Sequence, residues 1–254
     1  MRSIHVISLS EKVVTIINYI CRMKITESHK EECKSCIYSS PLFDGLDEEE
    51  LAFLAKTSSQ GFYRKSEVIF NENDEILRFC FLKLGLLKLS KKDEEGKCHI
   101  INIAKPNDCI GLLSVFSNTH YKYSLTALED SIIYYVDLAA LKHVISNNGK
   151  FGVKMLARIS EAADKVITTT FEINNKNLRG RIAYILLDFT ENIYKKNSFE
   201  CPVSRKEMGQ LIGMTTENVI RILSEFRKDG IIEITGKTVK VLKADFLHTL
   251  QRLA

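Results

Sequence analysis

At 254 residues with 45% apolar side chains, the chain is long enough to bury two cores and too rich in aliphatic residues to remain unfolded. Its net charge is only +4, yet residues 177–254 hold 13 Lys and Arg against 9 Asp and Glu while the remainder balances at 23 against 23, so the whole basic excess lies at the C-terminal end. Seven cysteines without an export signal exclude a disulfide scaffold and point to free thiols in a reducing, cytoplasmic compartment.

Residues 1–30 read as an N-terminal extension. Its apolar run follows Glu11 and Lys12, is too short to span a bilayer and lacks a small-residue cleavage site, and Met1 and Met23 are both candidate starts. Cys33 and Cys36 then form a C-x-x-C, for which a zinc or redox role competes with two unligated thiols, the favoured reading. A helix is expected from about Asp47, its first turn crowded with the acids that a helix N-terminus favours. Over 60–136 short β-rich segments (GFYRKSEVIF, RFCFLKLGLLKLS, CHIINIA, YSLTALEDSIIYYV) are punctuated by NENDE, KKDEEG, KPND and SNTH, the pattern of a β-roll or small barrel. From Gly149 to about Asn174 the period is helical. Met155, Ile159, Ala163 and Val166 recur at four, four and three, an apolar seam that predicts pairing with the same helix of a second subunit. The polar run Asn174-Asn175-Lys176-Asn177 is the expected hinge.

The stretch Cys201 to Gly230 carries the chemistry. Ser204 and Glu207 have the spacing of a capping box, Met208, Leu211 and Ile212 give a buried stripe, and Gly213 ends the helix in a conformation other residues adopt at a cost. Thr215 caps a second helix whose inner face is Val219, Ile222, Leu223 and Phe226 and whose outer face is Thr216, Glu217, Ile220 and Arg221. Helix, short turn and helix form the unit whose second helix enters the major groove of DNA. Glu217 can accept from the amino group of cytosine, and Arg221 can donate a fork of hydrogen bonds to guanine. The alternation in IIEITGKTVKVL, broken at Thr235-Gly236-Lys237, predicts a hairpin that would serve as a wing, and KADFLHTLQRLA predicts a terminal helix. Arg205 and Lys237 are expected near phosphates, and Ser204, Lys206 and Thr215 are further candidate DNA-binding residues. The six histidines are scattered, with no metalloprotease motif, phosphate loop or nucleophile elbow, which argues against an enzyme.

RGRIAYILLDF (179 to 189), SRKEMGQLIGMTTENVIRIL and the hairpin after DGIIEITGK resemble the C-terminal domain of the Crp/Fnr transcription regulators, and the resemblance spans about residues 40 to 242. It implies an α+β protein, a homodimer with four parts: an extension over 1–30, a cyclic-nucleotide-binding-like β-roll sensor of double-stranded β-helix (jelly-roll-like) form over 31–148, a dimerisation helix over 149–174 and a winged helix-turn-helix over 175–254. It implies double-stranded DNA as partner, an inverted repeat with TGA-containing half-sites, together with RNA polymerase and no membrane. Gly85, Gly96 and Gly111 fall where the family's roll turns, with Asn73 and Asn107 in place of two further turn glycines. The effector pocket is degenerate. The family's glycine-glutamate that holds a ribose is Gly111-Leu112 here, its arginine-serine pair is Lys122-Tyr123 or Tyr123-Ser124, and its purine-touching hydroxyls are Val166 and Ile167, so cyclic AMP is not the expected effector. Some family members bind an iron-sulfur cluster through an N-terminal cysteine group and one distant cysteine. Here the third N-terminal position falls near Leu42 and the distant one on Tyr134, so four thiolates would need Cys21, Cys33, Cys36 and Cys109 in another geometry. Others bind haem, for which His120 is the candidate ligand.

Overall fold

The computed structural model describes residues 37, 38 and 40–252. The expected extension, Cys21, and the Cys33–Cys36 pair lie outside the described residues.

A 3-10 turn, Pro41–Phe43, leads into helix α1 (Glu48–Lys56), where Asp47 and Glu50 close the capping box from both sides at 2.9 and 3.0 Å. Eight strands follow: β1 (Ser59–Tyr63), β2 (Val68–Phe70), β3 (Arg78–Leu84), β4 (Leu87–Lys92), β5 (Cys98–Ala104), β6 (Cys109–Ile110), β7 (Ser124–Ala127) and β8 (Ser131–Asp137). They form two antiparallel four-stranded sheets, in the orders β1-β8-β3-β6 and β2-β7-β4-β5, with the short helix α2 (Leu112–Val115) between β6 and β7. The roll closes because its turns can take left-handed backbone. Gly85, Gly96 and Gly111 have φ of 91, 80 and 74°, and Asn73 and Asn107 stand at 73 and 74°, the residue type that best replaces glycine there. Leu82, Leu87, Leu125 and Ile133 fill the interior. On the outer face of the first sheet Phe81 meets Phe43 edge-on, ring centroids 5.9 Å apart. Helix α3 (Leu138–Asn147) covers that face together with α1.

Helix α4 (Gly149–Asn175) is the long connector, and the structure corrects the seam expected on it. Met155 is 2% exposed in the roll's own core beside Phe151, and Ile159 packs partly buried against the same cluster, so the roll takes much of that seam. Each residue advances roughly 100° around a helix. The stripe about one residue-step further round is the one left bare: Val153, Leu156, Ile167 and Phe171 are 64 to 68% exposed, with Ala163 half-buried between them. The roll claims one apolar face of α4 and leaves the other.

The break between the two helices falls inside the expected hinge run. Helical structure runs through Asn175, Asn177 caps helix α5 (Leu178–Leu187), and the Arg181 guanidinium holds the backbone of this joint in place. After α5 the chain winds into a π-helical turn, Asp188–Ile193, which periodicity did not foreshadow, and then strand β9 (Ser198–Glu200). Helices α6 (Arg205–Ile212) and α7 (Thr216–Lys228) are the helix-turn-helix. Strands β10 (Ile232–Thr235) and β11 (Thr238–Val241) pair as the expected hairpin around Gly236, with β9 added to its edge, and helix α8 (Ala244–Arg252) packs back on α5. Among the described residues no helix is long and apolar enough to cross a membrane.

Candidate nucleic-acid interface and sensor pocket

The reading head forms as its sequence dictates. The Ser204 hydroxyl accepts from the Glu207 amide at 3.2 Å, and the Glu207 carboxylate accepts from the Ser204 amide at 2.9 Å. Gly213 ends α6 at φ 62°, and the Met214 amide donates back to the Gly209 carbonyl at 2.8 Å. That turn is tight enough that a methyl on Gly209 would stand 2.6 Å from the Met214 carbonyl oxygen. Thr215 caps α7 through the Asn218 amide, and Val219, Ile222, Leu223 and Phe226 are at most 2% exposed, so the inner face is fully used.

The outer face is left bare. Glu217 and Arg221 are exposed, Ile220 is exposed, and Thr216 is half-buried at the start of the helix. Arg221 does not pair with Glu217. Its guanidinium lies 2.7 Å from Glu225, one turn further on, and reaches Asn218 at 3.4 Å. Glu225 is itself held by Arg179 at 2.8 Å, and Arg179 lies 5.0 Å over the Phe226 ring. Partly exposed pairs of this kind contribute about 0–1 kcal/mol. Arg221 is therefore held along its own helix by contacts too weak to commit it there. Lys206 is exposed on α6, while Arg205 and Lys237 line a cleft of about 410 Å³ between the head and the roll, where the roll contributes Lys65.

Contacts between the roll and the head carry no signal in sequence pattern, because each joins residues far apart in the chain. Lys88 on β4 meets Glu207 at 2.5 Å, Gln210 on α6 donates to the Cys98 carbonyl at the start of β5, and Tyr194 donates to Glu129. Leu86 and Leu128 of the roll are buried in the head's hydrophobic cluster. Burial alone would raise the Glu207 pKa, but Lys88 together with the Ser204 amide and hydroxyl outweighs it and holds the carboxyl below its ordinary range.

In the roll, the segment expected to line a pocket is occupied by its own side chains. Gly111 takes left-handed backbone at the start of α2, and Leu112 is buried with Val115 in the core. The Tyr121 ring stacks on Phe70 with centroids 3.6 Å apart, its hydroxyl lies 3.7 Å from the Cys80 sulfur, and both Tyr121 and Tyr123 crowd the open side of Gly111. Ser124 is a strand residue whose hydroxyl accepts from the Glu72 amide at 3.0 Å, Lys122 is exposed, and Val166 and Ile167 are exposed on α4 rather than buried in the roll. His120 is exposed beside Thr119. Burial pushes the Cys109 thiol up to about 11 against the opposing charge of Arg158, and pushes Cys80 up to about 12. Among the described residues no three His, Cys, Asp or Glu side chains come together to hold a metal ion.

An antiparallel roll, a long connecting helix and a winged helix with a bare outer face define a two-domain protein with a helix-turn-helix head. The family model of the cyclic nucleotide-binding domain matches residues 60–148, and that of the Crp-like helix-turn-helix domain matches 180–250. The chain is 23% identical over 228 residues to the transcriptional activator protein FnrA of Stutzerimonas stutzeri, covering 87% of this chain and 92% of that one. It is 21% identical over 210 residues to a CRP-like cAMP-activated global transcriptional regulator of Mycobacterium tuberculosis, covering 81% and 94%. Among solved structures, FixK2 from Bradyrhizobium japonicum superposes with a TM-score of 0.69 at 22% identity, covering 78% of this chain and 98% of that one. The chain belongs to the Crp/Fnr family of transcription regulators and is a DNA-binding regulator rather than an enzyme.

Proposed function

We propose that the protein acts as a cytoplasmic homodimer that binds an inverted repeat with a TGA-containing half-site on each side and acts there beside RNA polymerase, under an effector other than cyclic AMP. The observation that carries the DNA reading is the outer face of α7, where Glu217 and Arg221 stand exposed on a helix whose other face is wholly buried. An acceptor and a bidentate donor one turn apart match the cytosine and guanine of one G·C pair. Dimerisation is supported by the bare stripe of Val153, Leu156, Ile167 and Phe171 on α4. Two heads related by a two-fold axis would meet half-sites about one helical turn, roughly 34 Å, apart. An effector other than cyclic AMP is supported by Leu112, which offers a ribose no acceptor, and by the aromatic packing of Tyr121 on Phe70.

Selection from random duplexes tests the reading. Wild-type protein should enrich an inverted repeat. Arg221→Ala should lose roughly 1–3 kcal/mol per half-site and relax preference at the guanine, whereas removing Arg205 or Lys237 should weaken all sequences alike and lower the salt slope by about one for each phosphate-binding side chain removed. Equal enrichment of the same G·C positions by wild type and Arg221→Ala would remove Arg221 as a base reader.

A further inference from the structure

We infer that Arg181 is the positioning residue that fixes the reading helix to the long connecting helix, and through it sets the spacing at which the two heads of a dimer accept half-sites. The inference rests on the DNA-reading proposal above and deepens it.

A helix ends with carbonyls that have no partner within it and with partial negative charge. Two such ends converge on Arg181, which leaves α5 within its first turn. At the end of α4, Nη2 donates to the Asn174 carbonyl at 3.1 Å and Nε to the Lys176 carbonyl at 3.0 Å. At the end of α6, Nη1 donates to the carbonyls of Ile212 and Gly213 at 3.1 and 3.0 Å. One planar guanidinium thus caps both helices, which a point donor such as a lysine ammonium lacks the reach and geometry to do. The site is shaped to admit it. Gly213 has no side chain, and a methyl there would stand 3.2 Å from the Arg181 Nη1, besides straining a residue at φ 62°.

Asn174 and Lys176 belong to the polar joint between the two domains, and Gly213 is the first residue of the turn that sets the direction of α7. A rotation of the head about that joint has to break charge-assisted hydrogen bonds on one side of the guanidinium or the other. With the clamp closed, the direction of α7 relative to α4 is fixed. In a dimer joined along α4, the distance and twist between the two reading helices are then fixed as well. Loss of the clamp frees that relation without touching a base contact.

The test compares half-site spacing rather than affinity alone. Operators from the selection are prepared at the selected spacing and with one central base pair added, which shifts the far half-site by about 3.4 Å and turns it by about a tenth of a turn. Wild-type protein, Arg181→Met and Arg181→Lys are titrated on both by fluorescence anisotropy, with thermal unfolding of each as a check on the fold. The expected result is that both variants lose roughly tenfold in the ratio of the two affinities, about 1.4 kcal/mol, while keeping the preference for the G·C pair read by Arg221. A residue that merely stabilised the domain would lower both affinities together and leave the ratio alone. If Arg181→Met does not fold, Arg181→Lys, which keeps length and charge but loses the fork, decides the matter. A wild-type ratio in a folded variant overturns the clamp. Wild-type protein that prefers no inverted repeat overturns instead the DNA-reading proposal beneath it.

Discussion

Replacing Gly209 by alanine sets two effects against each other. Gly209 lies inside α6, where helix propensity by itself favours alanine by about 1 kcal/mol. The added methyl would, however, stand 2.6 Å from the Met214 carbonyl oxygen, 3.4 Å from its carbonyl carbon and 3.5 Å from Val219 Cγ2. The first atom is backbone of the turn and has no rotamer by which to withdraw. Overpacking of this kind costs about 1–3 kcal/mol. Opening the turn also loses the bond from the Met214 amide to the Gly209 carbonyl, about 1 kcal/mol. The net expectation is a loss of about 1–3 kcal/mol, which in a head of this size lowers the midpoint of thermal unfolding by roughly 5–20 °C. Because the turn aims α7, operator affinity should fall with it. Gly149→Ala is the control, since its methyl would meet nothing within 4 Å. Calorimetric unfolding and anisotropy titration of both variants give the comparison. A Gly209→Ala protein as stable as wild type and equally able to bind operator would refute the steric reading of the helix-turn-helix.

The bare stripe on α4 predicts that Leu156→Glu combined with Ile167→Glu yields a monomer by sedimentation velocity with the roll still folded, whereas Met155→Glu unfolds the roll; a double variant that remains dimeric would place the interface elsewhere. Glu207 predicts an acid-side effect: its folded pKa is depressed, so its contribution is fully present above about pH 4.3, declines as pH falls and is gone below the folded pKa. The difference in unfolding midpoint between wild type and Glu207→Gln should therefore be present at pH 7 and shrink as pH falls below the ordinary glutamate range, and a difference that stays constant from pH 7 into acid would contradict it. The filled roll predicts no saturable heat on titration with ~100 μM cyclic AMP, a level at which a site with a dissociation constant near ~10 μM would be mostly occupied.

What could be read from the chain was local. The helix start at Asp47, the capping box at Ser204, the left-handed Gly213, the hairpin at Gly236 and the turn asparagines are set by neighbours a few residues away, and each formed as read; the capping box that Asp47 makes with Glu50 was not foreseen. The seam expected on α4 is divided by the fold, because periodicity reveals that a helix is apolar on more than one side without revealing which side its own domain takes. Met155 and Val166 lie on one stripe in sequence, yet the roll buries the first and leaves the second 44% exposed. Arg221 was legible as a donor on the reading face, but its present partner Glu225 was not, since Glu217 and Glu225 are equally spaced from it on either side. The hold of Arg181 on two helix ends joins carbonyls of four residues that no periodicity groups together.

The same long-range contacts decide how the two domains can communicate. The inner side chains of the roll already meet one another, Leu112 with Val115 and Tyr121 with Phe70, so a change in the roll reaches the head through surfaces the roll presents to it. Strands β4 and β5 present such a surface: Lys88 and the Cys98 carbonyl both engage α6, through Glu207 and Gln210. Glu207 also closes the N-terminal cap of α6, while the other end of α6 is held by Arg181 at Ile212 and Gly213. Helix α6 is thus gripped by the roll at its start and along its length, and by the interdomain joint at its end, and the turn that follows directs α7. A displacement of the β4–β5 hairpin and a rotation at the joint would act on the same short helix, so either would change the direction of α7 and of its exposed outer face.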